Sequence, residues 1–106
     1  MKKIFLKDFK RGWLVGDFEP SVFSTNKIEV AIQNYEAGHE EPNHYHKIAT
    51  EITFMVSGSA FCNDLLIENG EGVIIEPNQP NIFRAKTNCT TLVIKFPSVP
   101  SDKYYI

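Results

Sequence analysis

The chain has 106 residues, 42% of them hydrophobic and 23% charged, with a formal net charge of -2. That length suits one compact domain and leaves no room for a second lobe, and the composition is that of a globular chain and not of a disordered one. The slight negative balance excludes the basic field that draws nucleic acid or an acidic membrane surface, so neither is expected as a partner.

In chain order, Ile4 to Leu6 and Trp13 to Val15 are short apolar pieces. Lys2, Lys3 and Lys7 surround the first, but the run is too short for a secretion signal, and nothing approaches a membrane span. The expected location is the cytoplasm. Phe18 to Asn26 carries turn formers without helical periodicity. Lys27 to Tyr35 alternates, with Ile28, Val30 and Ile32 on one face and Glu29, Ala31 and Gln33 on the other, which reads as a half-buried strand with the Tyr35 hydroxyl at the surface.

After a polar stretch, strands are expected in quick succession at Ile52 to Ser57, Ser59 to Cys62, Leu65 to Ile67, Val73 to Glu76, Ile82 to Ala85 and Thr91 to Phe96. Turn signals separate them, among them Asn63-Asp64, a tight-hairpin candidate because both residues tolerate positive φ. The tail from Pro97 to Ile106 reads as an edge extension. No segment shows helical periodicity over three turns and no repeat is visible. The two cysteines, Cys62 and Cys89, form no Cys-x-x-Cys pair and read as free thiols. Many short strands at near-regular spacing predict an all-β sandwich or barrel.

The chemistry concentrates in Gly38 to Gly58, GHEEPNHYHKIATEITFMVSG. In an extended strand His44 and His46 point the same way and Tyr45 the other, so both imidazoles can reach one ion. Glu51 returns from the next strand, sharing its face with Thr53 and Met55. Two imidazoles and a carboxylate suit one divalent transition metal, Fe, Mn, Ni or Zn, with a position open to ligand. His39, Glu40 and Glu41 read as a solvated loop beside this set.

Glycine, His-x-His, glutamate and glycine at these intervals resemble the first signature motif of the cupins. Gly72, the strand Val73 to Glu76, the turn Pro77 to Pro80 and then Asn81 to Arg84 resemble the second, with Asn81 standing where the family places its last metal-binding histidine. Asn78 and Gln79 occupy turn positions where cupins often carry glycine. The resemblance implies a single-domain jelly-roll β-barrel over residues 1–106. It implies His44, His46 and Glu51 as metal ligands, and strand parity adds Thr53, Met55, Asn81 and Phe83 as pocket lining, with Arg84 facing away. It further implies a homodimer, for which residues 1–16 would supply contact strands.

Three functions stay open at this point: a metal-dependent enzyme on a small organic molecule, oxygenase-like or isomerase-like on sugars or sugar nucleotides; a non-catalytic small-ligand-binding module; and a metal-free structural barrel. One barrel can host all of these.

Overall fold

Short runs of β-branched and aromatic residues, punctuated by Gly, Pro and Asn, fold as strands throughout the computed structural model, which describes residues 1–106. The strands are β1 (Trp13–Gly16), β2 (Phe23–Ser24), β3 (Glu29–Tyr35), β4 (His44–Tyr45), β5 (Thr50–Ser57), β6 (Ala60–Cys62), β7 (Leu65–Ile67), β8 (Gly72–Ile75), β9 (Phe83–Ala85), β10 (Cys89–Phe96) and β11 (Tyr104–Tyr105). The only helical turns are two single 3-10 turns, Leu6–Asp8 and Lys10–Gly12.

One sheet has the order β2-β1-β3-β10-β5-β8. Facing it are β7-β6-β9 and β11-β4, joined into one layer because His44 and Asn81 exchange both backbone hydrogen bonds, 3.2 and 2.8 Å, and Glu41 N donates to Phe83 O at 2.9 Å. From β3 onward the chain crosses repeatedly between the layers. That alternation is the jelly roll, an all-β barrel that limits exposed strand edges.

Register defines the interior. Across β3, β10 and β5 the inward rows are Glu29–Lys95–Glu51, then Ala31–Val93–Thr53, then Gln33–Thr91–Met55. The polar side of β3 therefore faces in, and Ile28, Val30 and Ile32, its apolar side, face out. The reason is the shape of the core. Its apolar cluster, Met55, Ala60, Cys62, Ile67, Phe83, Ala85 and Cys89, lies at one end of the barrel, and the other end is left to polar groups that hydrogen-bond one another. Gly58 closes the β5–β6 connection at φ +97°, and a Cβ there would stand 2.4 Å from Asn88 O. Asn63 turns the β6–β7 hairpin at φ +54°.

The N-terminal segment is partly strand. Trp13–Gly16 is an integral strand held between β2 and β3, while Ile4 and Phe5 form no strand and are each 50% exposed. The C-terminal tail does form an edge extension, and it lands on the metal-motif strand: Tyr104 pairs with Tyr45 and Tyr105 with His44.

The tail also carries Asp102, 2% exposed. Its carboxylate accepts hydrogen bonds from the backbone N–H groups of Lys47, Ile48 and Ala49, each at 2.9 Å. Burial pushes this carboxyl up, but the three backbone donors and nearby His46 outweigh it and hold it below its ordinary value. Asp102→Ala should cost about 2–4 kcal/mol of stability in urea unfolding at pH 7, because charged hydrogen bonds are lost and buried N–H groups orphaned. A depressed carboxyl contributes stability above its unfolded value near roughly 3.9 and loses it as pH falls through the folded value. The gap between wild type and Asp102→Ala should therefore narrow below about pH 4, where the ionised form is lost.

Candidate metal centre

His44 and His46 leave β4 on the same face, and Glu51 enters from the start of β5 after the loop that Asp102 holds. One ligand atom from each lies within 4.8 Å of those of the other two, and all three residues are buried. His44 Nδ1 lies 2.9 Å from Pro42 O, so the ring donates there and leaves Nε2 as the free ligand nitrogen, the usual orientation of a metal-binding imidazole.

Thr53 Oγ1 donates to Glu51 Oε2 at 2.7 Å, which leaves Oε1 toward His46 Nδ1 at 4.0 Å. His46 does not neutralise it. Burial first, then the positive charge of Lys95, lowers the His46 pKa to about 4, so the ring is neutral at pH 7 and available as a ligand.

Charge compensation tests whether these residues fit a cation. Glu29 receives Lys95 Nζ at 3.2 Å and Ser98 Oγ at 2.8 Å, and Asp102 has its three backbone donors. Glu51, 9% exposed, has one hydroxyl donor and a neutral ring. A buried carboxylate so lightly compensated is costly alone, and a divalent ion between it and the two imidazoles would supply the missing charge. The donor set fits.

The triad opens on a cavity of about 1150 Å³. Thr53, Asn81 and Phe83 are among the residues that line it. Asn81 lies directly across the ladder from His44, so the two side chains share a face. Its turn is tied to the ligand strand by Asn78, which adopts the glycine-like φ of +68° and donates its N–H to His46 O. Met55 does not line the cavity. At 0% exposure it belongs to the apolar cluster beneath, one row beyond Thr53. Arg84 faces outward over the Phe61 ring.

The opposite wall holds residues that the sequence alone places at the surface or in a solvated loop. Tyr35 lines the cavity, packed between His39 and Phe83, with ring centroids at 5.2 and 4.7 Å. Its hydroxyl donates to Gln33. Burial, then the Glu41 and Glu51 carboxylates, raise its pKa well above the ordinary tyrosine value, so it stays a protonated phenol. His39 and Glu41, 3.4 Å apart, form part of the cavity rim instead of a detached loop. Thr91, fully buried on the cavity floor, has a hydroxyl with no hydrogen-bond partner in the protein. Burying the Cys62 thiol raises its pKa to about 11, so it is an inert core residue.

By sequence, no protein-family model and no curated protein matches the chain. Solved structures do resemble it. The DMSP lyase DddQ from Ruegeria pomeroyi superposes at TM-score 0.72 and 18% identity over 97% of this chain and 59% of the lyase. An RmlC-like cupin from Desulfovibrio desulfuricans gives 0.64 and 23% over 74% of this chain and 79% of that one. A sugar phosphate isomerase from a cupin superfamily, from Silicibacter pomeroyi, gives 0.62 and 19% over 76% and 57%. The chain thus spans little more than half the length of the lyase and the isomerase. The fold is the cupin fold.

His46 should titrate with a midpoint near pH 4 when its ring protons are followed by NMR in metal-free protein. A histidine lowered from about 6.5 contributes stability above that value and loses it as pH falls toward 4. Wild type should accordingly lose more stability between pH 6.5 and 4 than His46→Gln does.

Proposed function

We propose that this cupin-fold chain binds one divalent transition metal, Fe, Mn, Ni or Zn, through His44 Nε2, His46 and Glu51, and acts on a small organic molecule held in the cavity. The observation that carries the reading is the lightly compensated buried carboxylate of Glu51 facing two imidazoles at the floor of an open cavity. A bound ion would supply Lewis acidity to a ligand oxygen and leave open positions for it. The remaining wall is the chain's own. Asn81, whose amide has no hydrogen-bond partner in the protein, and Thr91 offer polar contacts, Phe83 and Val93 an apolar surface, and Tyr35 a protonated donor.

Glu41 and His39 place a carboxylate and an imidazole on the rim of the same cavity, the groups that a proton-transferring reaction requires. They favour an enzyme, isomerase-like or oxygenase-like, and the lyase and isomerase among its structural neighbours act through the same fold. Non-catalytic ligand binding is the second reading, supported by Glu29, which Lys95 and Ser98 occupy and thereby withdraw as a base. Homodimerisation and a cytoplasmic location belong to the proposal too, the latter because both thiols are free and buried, which suits a reducing compartment.

Elemental analysis and titration with Fe(II), Mn(II), Ni(II) and Zn(II) test the metal reading. Wild type should hold one ion per chain, and His44→Ala and Glu51→Ala should weaken binding at least about 100-fold, beyond the usual loss from an outer-sphere partner, with the barrel still folded. His39→Ala should leave metal content unchanged. Asn81→His should tighten binding by about tenfold or more, because imidazole is the better donor for these ions. Equal, negligible metal in wild type and His44→Ala would remove the metal from the account.

A further inference from the structure

The first twelve residues differ from the rest of the chain in charge. Lys2, Lys3, Lys7, Lys10 and Arg11 stand there against one acid, Asp8, a net charge of +4, so that with -2 for the whole chain the remaining residues carry -6. None of the five cations is paired, because the ion pairs of the protein are His39–Glu41, His46–Glu51 and Lys95–Glu29. Lys7, Lys10 and Arg11 are exposed and also line the cavity that holds His44, His46 and Glu51. They therefore stand at its mouth. The segment that carries them is lightly held, since neither of its 3-10 turns has a side-chain cap and Leu6–Asp8 buries no residue. Gln33 ties it to β3: Nε2 donates to Arg11 O at 3.4 Å, and the amide oxygen accepts from the Tyr35 hydroxyl. Its position is thereby linked to the phenol on the cavity wall. It joins the barrel through Arg11 at φ +49° and Gly12 at φ +77°, where a Cβ on Gly12 would stand 2.0 Å from Ile32 O.

We infer, resting on the small molecule of the preceding reading, that this segment is a cationic strap and that the molecule is an organic anion whose charged end meets Lys10 and Arg11. The inner cavity has no free cation for such a group. Lys95 is committed to Glu29, so an anion entering without the strap would meet carboxylates and the ion alone. The acids of the cavity do not favour a cation instead. Glu29 is held by Lys95 and Ser98, Glu41 lies against His39, and Glu51 belongs to the metal set. Glu19 and Glu36, exposed and unpaired on the cavity wall, are outnumbered by the three strap cations. Hydrogen bonds from charged donors to an anionic group are stronger than neutral ones, and unpaired cations at a cleft raise the local concentration of an anionic ligand. A lightly held segment with such charges is suited to close on what it binds.

Calorimetric titration of the full chain with succinate and with glycerol phosphate, against the neutral succinamide and glycerol, tests the strap, first with Zn(II) added and then in EDTA. In both conditions at least one anion should bind about tenfold or more tightly than its neutral counterpart, the size of one charged hydrogen bond. The paired change Lys10→Gln with Arg11→Gln should remove that difference. Both side chains are exposed, so the variant should stay folded by near-ultraviolet circular dichroism and bind Zn(II) as wild type does. Amide exchange at Phe9 and Gly12, whose N–H groups bond Leu6 O and Phe9 O, should slow about tenfold when the anion is at ten times its dissociation constant. Equal binding of anions and neutral probes, or equal anion binding by wild type and the variant, overturns the strap and leaves the metal assignment standing. If Zn(II) does not bind, the preceding reading loses its metal, and the ratio of wild type to variant in EDTA still decides the strap.

Discussion

The geometry of the candidate centre depends on one carboxylate that is not part of it. Asp102 gathers three successive backbone N–H groups at the loop between His46 and Glu51, and that loop decides where Glu51 re-enters relative to the two imidazoles. Without such a partner, three donors would be buried without acceptors. Satisfying them from the tail also fixes the tail, so Tyr104 and Tyr105 complete the edge of the strand that carries His44. The two ends of the motif are held by the C-terminus, more than fifty residues away along the chain.

A barrel interior this small cannot hold both a polar site and a full apolar core. Here the site prevails at one end. Glu29, Lys95, Glu51, Thr53 and Thr91 occupy inward positions on three adjacent strands, and the apolar cluster is confined to the other end around Met55 and Phe83. Strand alternation then puts the side chains that would normally fill a core, Val30, Ile32, Ile52, Leu92 and Ile94, on the outside. The interior chemistry and the apolar exterior have one cause, the period of two that places successive residues on opposite faces.

That same period explains what was legible in the sequence. Strand positions, the Asn63 hairpin and the shared face of Glu51, Thr53 and Met55 on β5 follow from local alternation and turn chemistry, while the placing of Asn81 near His44 comes from the family resemblance. The inward face of β3 does not, because alternation gives two faces but not which one is buried, and a polar interior reverses the ordinary choice. The same ambiguity leaves the Tyr35 hydroxyl at the surface when the sequence is read alone. Asp102 left no local signal at all. An acid beside a lysine in a short tail of mixed polarity reads as solvated until the fold brings the loop at Lys47 to Ala49 against it.

The row Glu29–Lys95–Glu51 shows how the interior separates the carboxylates it buries. Lys95 lies between the two acids in register, yet its ammonium is drawn to Glu29 at 3.2 Å and over the Trp13 ring at 4.7 Å. Ser98 secures the far side of Glu29, so that carboxylate is fully engaged and the lysine is held with it. Glu51 is thereby left to Thr53 alone, and Lys95, by keeping its charge near, helps hold His46 neutral. A lysine paired with Glu51 instead would supply the countercharge itself and close the place proposed for an ion. The pairing of Lys95 with Glu29 is thus as much a condition for a metal site as the ligands, since it keeps the one lightly compensated carboxylate where the imidazoles converge.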